Sequence, residues 1–272
     1  TAVASGGPGA VLWMWLTGVF GIATKYSEAL LAVRYRVVTP SGQMAGGPMY
    51  ALERGLKGRW GKLAAVLAVI FASFTAIAAF GIGNMVQANS IAEMLREGYN
   101  VPAWLSGLVM MVLTAVVILG GIKSIANVCE KLVPFMAFFY VAGCLTLLAM
   151  KWSTIGDSFL LILSSAISGK AALGGFLGAG VKEAARYGIA RGLFSNESGL
   201  GSAPIVAAAA QTKNPVRQAL VSSTGTFWDT VVVCAMTGLV IVNSGDWTNP
   251  VCNLERLAPA TRASLEQAQL VT

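Results

Sequence analysis

The sequence has 272 residues, of which 56% are hydrophobic and only 11% are charged, against roughly a quarter charged in ordinary soluble domains. With a mean hydropathy of +0.68, this composition predicts an all-α polytopic membrane protein. The net charge of +7 does not indicate a nucleic-acid partner, because the basic residues collect at helix ends, as in cytoplasmic loops.

The first predicted span runs from about Ala10 to Val33 and follows Pro8, a residue suited to a helix start. Lys25 and Glu28 are three residues apart on one face of this span and can pair with each other. A structural ion pair or snorkelling is a simpler interpretation than a proton pathway. The next segment, Arg34–Lys62, carries six basic residues against one acid, which places it in the cytoplasm.

The segment from Leu63 to Ala92 contains no charged residue and predicts one long span. Near its end, Asn84, Gln87 and Ser90 are spaced by three and would share a helix face. Hydrogen bonding between closely packed helices is one interpretation of this face, and the polar wall of a binding site is the other. A short outer loop, Glu93–Ala103, follows.

Two more spans are predicted at Trp104–Leu119 and at Leu132–Met150, the latter with Pro134 in its first turn. The segment Asp157–Gly180 is apolar at first but too short to cross, and several glycines interrupt it, including Gly174, Gly175 and Gly178. It predicts an outer hairpin or a re-entrant segment.

The stretch Phe194–Pro204 lies between apolar runs, yet it holds a carboxylate, an amide, three hydroxyls, two glycines and a proline. Inside a helix, glycine costs about 1 kcal/mol relative to alanine, and proline about 3 kcal/mol. A helix broken at membrane depth is one interpretation, and a short extramembrane loop is the other. Placing Arg191 outside and Lys213 inside leaves only about 20 residues for the crossing, which favours the broken helix.

The last predicted span, Ala219–Val242, contains a single acid, Asp229. A carboxylate at the centre of a membrane helix costs roughly 2.5–3.5 kcal/mol on insertion scales. Asp229 is therefore either the partner of a basic residue on a neighbouring helix or part of an ion site. The four cysteines lack paired spacing, which predicts free thiols; they are Cys129, Cys144, Cys234 and Cys252.

We expect residues 1–247 to form a single, partial transmembrane domain of about six helices. The polar segment 248–272 is expected to be an extramembrane loop or tail. The sequence begins without methionine and ends without a closing helix, which is typical of a piece of a longer protein.

Four sequence blocks carry a family resemblance. Gly6–Gly21 (GGPGAVLWMWLTGVFG) resembles the signature of the sodium:alanine symporter family of bacteria and archaea, with Leu12 where phenylalanine is usual. Three further segments are similar to family blocks, in order along the chain. They are Gly46–Tyr50, Ala79–Ser90 and Arg191–Pro204. Within the last block, Ser198 stands where the family usually has alanine.

This resemblance implies a partial leucine-transporter-type fold, built from two inverted repeats of five helices. In such folds the first and sixth core helices are broken at the midplane and hold substrate and ions. Thr1–Ser5 would be the tail of the first core helix, and Leu63–Ala92 the third. Phe194–Pro204 would lie in the sixth, and Ala219–Val242 would be the seventh.

The resemblance also implies a secondary active transporter rather than an enzyme. The expected activity is sodium-coupled symport of alanine or glycine by alternating access, in a multi-pass protein of the plasma or inner membrane. The expected partners are the amino acid, sodium and the lipid bilayer. No cofactor is expected beyond the co-transported sodium ion.

The candidate site residues come from the broken helix and from the third and seventh core helices. Amides, hydroxyls and glycine backbone suit a small zwitterion, and carboxylate and hydroxyl oxygens suit sodium. The substrate-binding candidates are Asn84, Gln87, Phe194, Ser195, Asn196, Gly199 and Gly201. The ion-binding candidates are Glu197, Ser202, Thr226 and Asp229.

Two alternatives come from other functional classes. A passive channel would need a polar ring from several subunits, whereas the polar residues here concentrate at one helix break. Within the transporter class, another cation-coupled small-solute transporter is also an alternative. An intramembrane enzyme with Ser195 or Ser202 as nucleophile is disfavoured, because the sequence has no histidine to activate a serine.

Overall fold

The computed structural model describes residues 2–40, 42–81, 83–167, 180–245 and 247. These residues are almost entirely helical, apart from one small antiparallel pair of two-residue strands, β1 (Val37–Val38) and β2 (Met44–Ala45). The all-α prediction is confirmed to this extent, whereas the inverted-repeat topology stays a prediction. The chain divides into two compact units, one of Thr1–Ala51 with Gly143–Thr272 and the other of Leu52–Ala142.

Thirteen α-helices occur in the described part of the chain. In chain order they are α1 (Ala2–Gly6), α2 (Ala10–Tyr35), α3 (Pro48–Gly55), α4 (Lys57–Trp60), α5 (Lys62–Ala78), α6 (Asn84–Tyr99), α7 (Ala103–Leu119), α8 (Gly121–Met150), α9 (Ile155–Ile167), α10 (Val181–Asn196), α11 (Ala203–Ala208), α12 (Pro215–Thr226) and α13 (Cys234–Ser244). A short 3₁₀ turn, Trp152–Thr154, precedes α9, and a π-helical segment, Phe227–Val233, joins α12 to α13.

Helix α2 is the central element of the first unit and packs against α10, α11, α12 and the π-helical segment. Small residues allow this close packing. A Cβ added at Gly188 on α10 would lie 2.4 Å from the carbonyl oxygen of Ala10. A cluster of alanines continues the contact toward α11 and α12; it consists of Ala29, Ala32, Ala207, Ala208 and Ala219.

The end of α11 is held by a charged side chain from the residue that follows α2. Arg36 donates hydrogen bonds to the carbonyl oxygens of Ala208, Ala210 and Thr212, at 3.1, 2.5 and 2.7 Å. These carbonyls belong to the last residue of α11 and the turns after it, where no helical partner is available. Arg36 therefore fixes the end of this six-residue helix.

In the second unit, the prediction of one long span over Leu63–Ala92 is wrong. Helix α5 ends at Ala78, and α6 begins at Asn84. Gly83 has φ 79°, a conformation that a helix interior does not accept and that glycine adopts readily. Helix α6 also extends to Tyr99, into the stretch predicted as an outer loop.

Two further boundaries differ from prediction. Helix α8 begins at Gly121, so Pro134 lies inside it rather than in its first turn. A proline in the interior of a membrane helix is tolerated where neighbours satisfy the freed carbonyl. The predicted re-entrant segment begins as helix α9, but residues 168–179, with Gly174, Gly175 and Gly178, lie outside the described residues.

Within the described residues, two helical stretches are long and apolar enough to cross a membrane, Ser124–Met150 and Pro215–Ser244. Three shorter apolar helices accompany them, at Lys62–Ala78, Ala103–Leu119 and Trp152–Ile167. The prediction of about six spans and that of a single domain over 1–247 stay predictions. The predicted tail, 248–272, with Cys252, lies outside the described residues.

Candidate functional site

The predicted helix interruption is present in the first unit. Helix α10 ends at Asn196, and Glu197 takes a left-handed conformation with φ 53°, which is how many helices end. Gly199 and Gly201 follow with φ of 87° and 81°, conformations that favour glycine. Helix α11 then starts at Ala203 with proline in its first turn. The two glycines and the proline thus explain why the helix stops and restarts here.

Two charged side chains of α2 bind the backbone of this interruption. The Lys25 Nζ atom donates to the carbonyl oxygen of Asn196 at 2.7 Å. The backbone N–H of Gly199 donates to Glu28 Oε1 at 3.1 Å. Of the two interpretations of Lys25 and Glu28, the direct ion pair is not found, since the ion pairs in the described part of the chain are Arg96–Glu93 and Arg186–Glu183.

The side chains of the interruption also bind one another. Asn196 Oδ1 accepts a hydrogen bond from the Ser198 backbone N–H at 2.9 Å, and Ser202 Oγ donates to Glu197 Oε2 at 2.8 Å. Asn196 and Ser198 are only 4% and 3% exposed. Their remaining polar atoms, Asn196 Nδ2 and Ser198 Oγ, are buried and have no partner among the described residues.

A third buried group without a partner in the described chain, Thr226 Oγ1, lies at the end of α12. A Cβ added at Gly21 would lie 3.1 Å from Ser198 Oγ and 3.3 Å from Thr226 Cγ2, so both side chains converge on the same point of α2. Buried polar groups nearly always have a hydrogen-bond partner. Glu28 Oε2 is a fourth such atom in the described chain, since the other oxygen of this carboxylate binds Gly199. Four such atoms around one helix break therefore mark a place where a water, an ion or a polar ligand would complete the hydrogen bonding.

Asp229 lies in the π-helical segment, an irregularity that occurs frequently at functional sites. Its Oδ2 atom accepts hydrogen bonds from Ser195 Oγ at 2.7 Å and from Thr230 Oγ1 at 2.9 Å. Ser195 Oγ is also 3.3 Å from Cys234 Sγ. The direct partners of Asp229 are thus hydroxyl groups, which link the end of α10 to the segment between α12 and α13.

The electrostatic balance around the interruption is negative. Lys25 interacts favourably with three carboxylates, those of Glu197, Glu28 and Asp229. The carbonyl end of α10 adds a partial negative charge of its own. Among the groups that interact with Lys25, three carboxylates thus accompany one ammonium group, an excess that a cation or a proton would offset.

A cavity of about 250 Å³ lies beside the interruption, between α2 and α10. Its lining is mainly apolar, with Leu16, Phe20 and Leu193, while Thr24 and Ser198 supply hydroxyl groups. Small-molecule sites commonly combine an apolar lining with a few polar groups. Phe194 is outside this lining, and the guanidinium carbon of Arg191 lies 6.0 Å from its ring centroid.

Comparison with known proteins shows which family this sequence resembles. The model of the sodium:alanine symporter family matches residues 1–269. The chain belongs to this family.

The relatives of this symporter-family chain are transporters rather than enzymes. An uncharacterized transporter of Haemophilus influenzae is 50% identical over 270 residues, 99% of this chain and 57% of that protein. The sodium/alanine symporter AgcS of Methanococcus maripaludis is 53% identical, over 90% of this chain and 53% of that protein. The probable sodium/glutamine symporter GlnT of Bacillus subtilis is 36% identical, over 92% of this chain and 50% of that protein. The chain spans about half the length of these relatives.

Most of the predicted site residues come together at the interruption, but two belong to the second unit. Asn84 is exposed at the start of α6, where its Nδ2 atom lies 3.4 Å from the carbonyl oxygens of Ala79 and Phe80. Gln87, one turn later, is also exposed. The role of Asn84 and Gln87 in substrate binding stays a prediction, as do the roles of the other candidates.

Sequence reasoning missed how Lys25 and Glu28 are used. Two opposite charges three residues apart suggest a mutual pair, whereas each binds a backbone group of another element. The position of these charges inside an otherwise apolar stretch was the available signal, because such charges seek a buried partner. The sequence also identified Ser198 as a departure from the family pattern, but not its burial.

Proposed function

We propose that this chain forms part of a sodium-coupled symporter of a small neutral amino acid, alanine or glycine. The observation that carries this proposal is the helix interruption, around which four buried polar atoms have no partner among the described residues: Asn196 Nδ2, Ser198 Oγ, Thr226 Oγ1 and Glu28 Oε2. Membership of the sodium:alanine symporter family supports the same substrate class, and so does the printed name of the AgcS relative.

The chemistry of the interruption suits a zwitterion. A carboxylate needs hydrogen-bond donors, and the buried Nδ2 atom of Asn196, at the end of α10, is a donor without a partner in the described chain. An ammonium group needs acceptors, and the last carbonyls of α10 are acceptors at a helix C-terminus. Gly199 and Gly201 carry no side chain that would keep a ligand from the backbone. Ser195 and Phe194 are further candidates for contacts with substrate.

The chemistry also suits sodium, whose preferred ligands are oxygens. The four ion-binding candidates differ in how their oxygens are used. Glu197 and Ser202 bind each other, and Asp229 accepts from two hydroxyls, whereas Thr226 Oγ1 has no partner in the described chain. The entry of one positive charge releases about 2.3 kcal/mol per 100 mV of membrane potential, in addition to its concentration gradient.

The proposal includes a mechanism and a location. Transport would proceed by alternating access in a leucine-transporter-type fold of inverted repeats, in which the broken helix binds substrate near the membrane midplane. The protein would cross the plasma or inner membrane several times, would need no cofactor beyond the co-transported sodium, and would not bind nucleic acid.

The test uses the complete protein reconstituted in liposomes. We expect concentrative uptake of labelled alanine with an inward sodium gradient, faster with a negative interior, and little uptake when potassium replaces sodium. Excess unlabelled glycine and glutamine then define the substrate range. Uptake that stops at equilibrium and ignores the sodium gradient would contradict symport and favour a passive channel.

A further inference from the structure

Two charged side chains of α2, Lys25 and Glu28, bind the helix interruption on opposite sides of its left-handed residue, Glu197. Lys25 Nζ holds the carbonyl of Asn196, the last residue of α10, at 2.7 Å. Glu28 Oε1 holds the backbone N–H of Gly199 at 3.1 Å. We call Lys25 and Glu28 together the charged brace.

The polarity of the charged brace matches the backbone that it binds. The last carbonyls of a helix carry partial negative charge, which attracts the Lys25 ammonium. The N–H of Gly199 carries partial positive charge and donates to a carboxylate, and the Gly201 amide adds a weaker attraction to Glu28. Hydrogen bonds with an ionised partner are roughly twice as strong as neutral ones.

The charged brace encloses the residues that carry the buried polar atoms. Asn196 is one of its two attachment points and Ser198 lies between them, and each has one buried atom without a partner in the described chain. A fixed backbone at Asn196 and Gly199 leaves these two side chains little freedom to turn away. The charged brace also occupies the carbonyl of Asn196 and the N–H of Gly199, so a ligand cannot use these two groups.

We propose that Lys25 and Glu28 are positioning residues that hold the interruption in its ligand-binding geometry by binding its backbone dipoles, rather than by pairing with each other. This proposal rests on the proposed function, because the geometry that they hold is that of the substrate and ion site.

A charge exchange distinguishes this role from that of an ordinary ion pair. In the double variant Lys25→Glu with Glu28→Lys, a mutual pair would be kept. A brace would be destroyed, because a carboxylate would then face the Asn196 carbonyl and an ammonium group the Gly199 N–H. We therefore expect the exchange to transport no better than either single variant. Near-normal uptake by the exchange variant would overturn the proposal.

Single substitutions measure the effect on binding. Lys25→Met and Glu28→Leu should each raise the KM for alanine, and the sodium concentration for half-maximal uptake, by about tenfold, as expected for the loss of one charge-assisted hydrogen bond. Lys25→Arg keeps a hydrogen-bond donor and Glu28→Gln keeps an acceptor, so both variants should raise KM and the required sodium concentration by less. Lys213→Met and Glu53→Gln, at exposed positions, are the matched controls. Unchanged KM and sodium dependence in both Lys25→Met and Glu28→Leu would overturn the proposal.

A second readout needs no substrate. Hydrogen–deuterium exchange of the peptide over residues 193–203, in the complete protein, should be faster in Lys25→Met and Glu28→Leu than in the controls. Exchange at the wild-type rate in both would overturn the brace whether or not the protein transports. Faster exchange, with a wild-type protein that takes up no alanine on a sodium gradient, would support the brace and refute the proposed function instead.

Discussion

Asn196 illustrates how one side chain at the interruption can serve both structure and binding. Its Oδ1 atom accepts from the Ser198 N–H and so belongs to the turn. Its Nδ2 atom is buried and has no partner in the described chain. The side chain therefore stabilises the turn through its oxygen, while its nitrogen is the donor that the proposed function assigns to the substrate.

A pair of substitutions separates these two contributions. Asn196→Asp keeps an oxygen acceptor for the turn but removes the donor, whereas Asn196→Ala removes both. We expect both variants to lower sodium-dependent alanine uptake by tenfold or more, the effect of one lost hydrogen bond in a buried site. Only Asn196→Ala should also lower the melting temperature. Normal uptake by Asn196→Asp would show that Nδ2 does not bind substrate.

Gln87 tests the contribution of the second unit. If its amide forms part of the substrate site, Gln87→Ala should lower sodium-dependent alanine uptake severalfold at unchanged expression. The exposed Gln211→Ala variant is the matched control and should transport normally. Near-normal uptake by both Gln87→Ala and Asn196→Ala at wild-type expression would reject the predicted placement of the site.

At the scale of single elements, the π-helical segment determines the direction of the Asp229 side chain, because a π turn rotates side chains differently from a regular α-helix. Asp229→Asn keeps an oxygen for Ser195 or Thr230 but removes the negative charge. We expect the variant to need several times more sodium for half-maximal uptake, with a smaller change in KM for alanine. Asp157→Asn, at an exposed position on α9, is the control. Equal sodium dependence in wild type and Asp229→Asn would exclude Asp229 from the ion site.

The packing of α2 on α10 gives a prediction about stability. Gly188→Ala would place a Cβ 2.4 Å from the backbone oxygen of Ala10, which cannot move aside as a flexible side chain can. We expect a loss of about 1–3 kcal/mol, measured as a lower melting temperature in detergent. Gly143→Ala, on α8 with no atom within 4 Å of the added Cβ, should be neutral or slightly stabilising, because alanine favours helix.

The elements also show what sequence can and cannot predict. The start of α2 at Ala10, the end of α7 at Leu119 and the break after Asn196 agree with prediction, because apolar runs, glycine and proline act locally. The start of α8 was missed, since its first turns are charged and hydropathy does not separate a charged helix from a loop. Glu28 was misassigned because its partner, Gly199, is 171 residues away in sequence.

At the scale of the whole molecule, the charge pattern predicts the orientation in the membrane. A cysteine at Lys57 or Lys213, in a variant with the four native cysteines replaced, should react with a membrane-impermeant maleimide only after the cells are opened. A cysteine at Glu97, on the predicted outer side, should react in intact cells. Labelling of Lys213→Cys from outside would contradict the predicted cytoplasmic position of the segment that follows α11.

The six-residue helix α11 is too short to be stable by its own hydrogen bonds. Arg36 ties its far end through three carbonyls, while Glu28 holds the chain four residues ahead of its start. Both attachments belong to α2 and the residue just after it. A displacement of α11 would therefore also displace α2, a helix of 26 residues that leads directly into the β1–β2 hairpin.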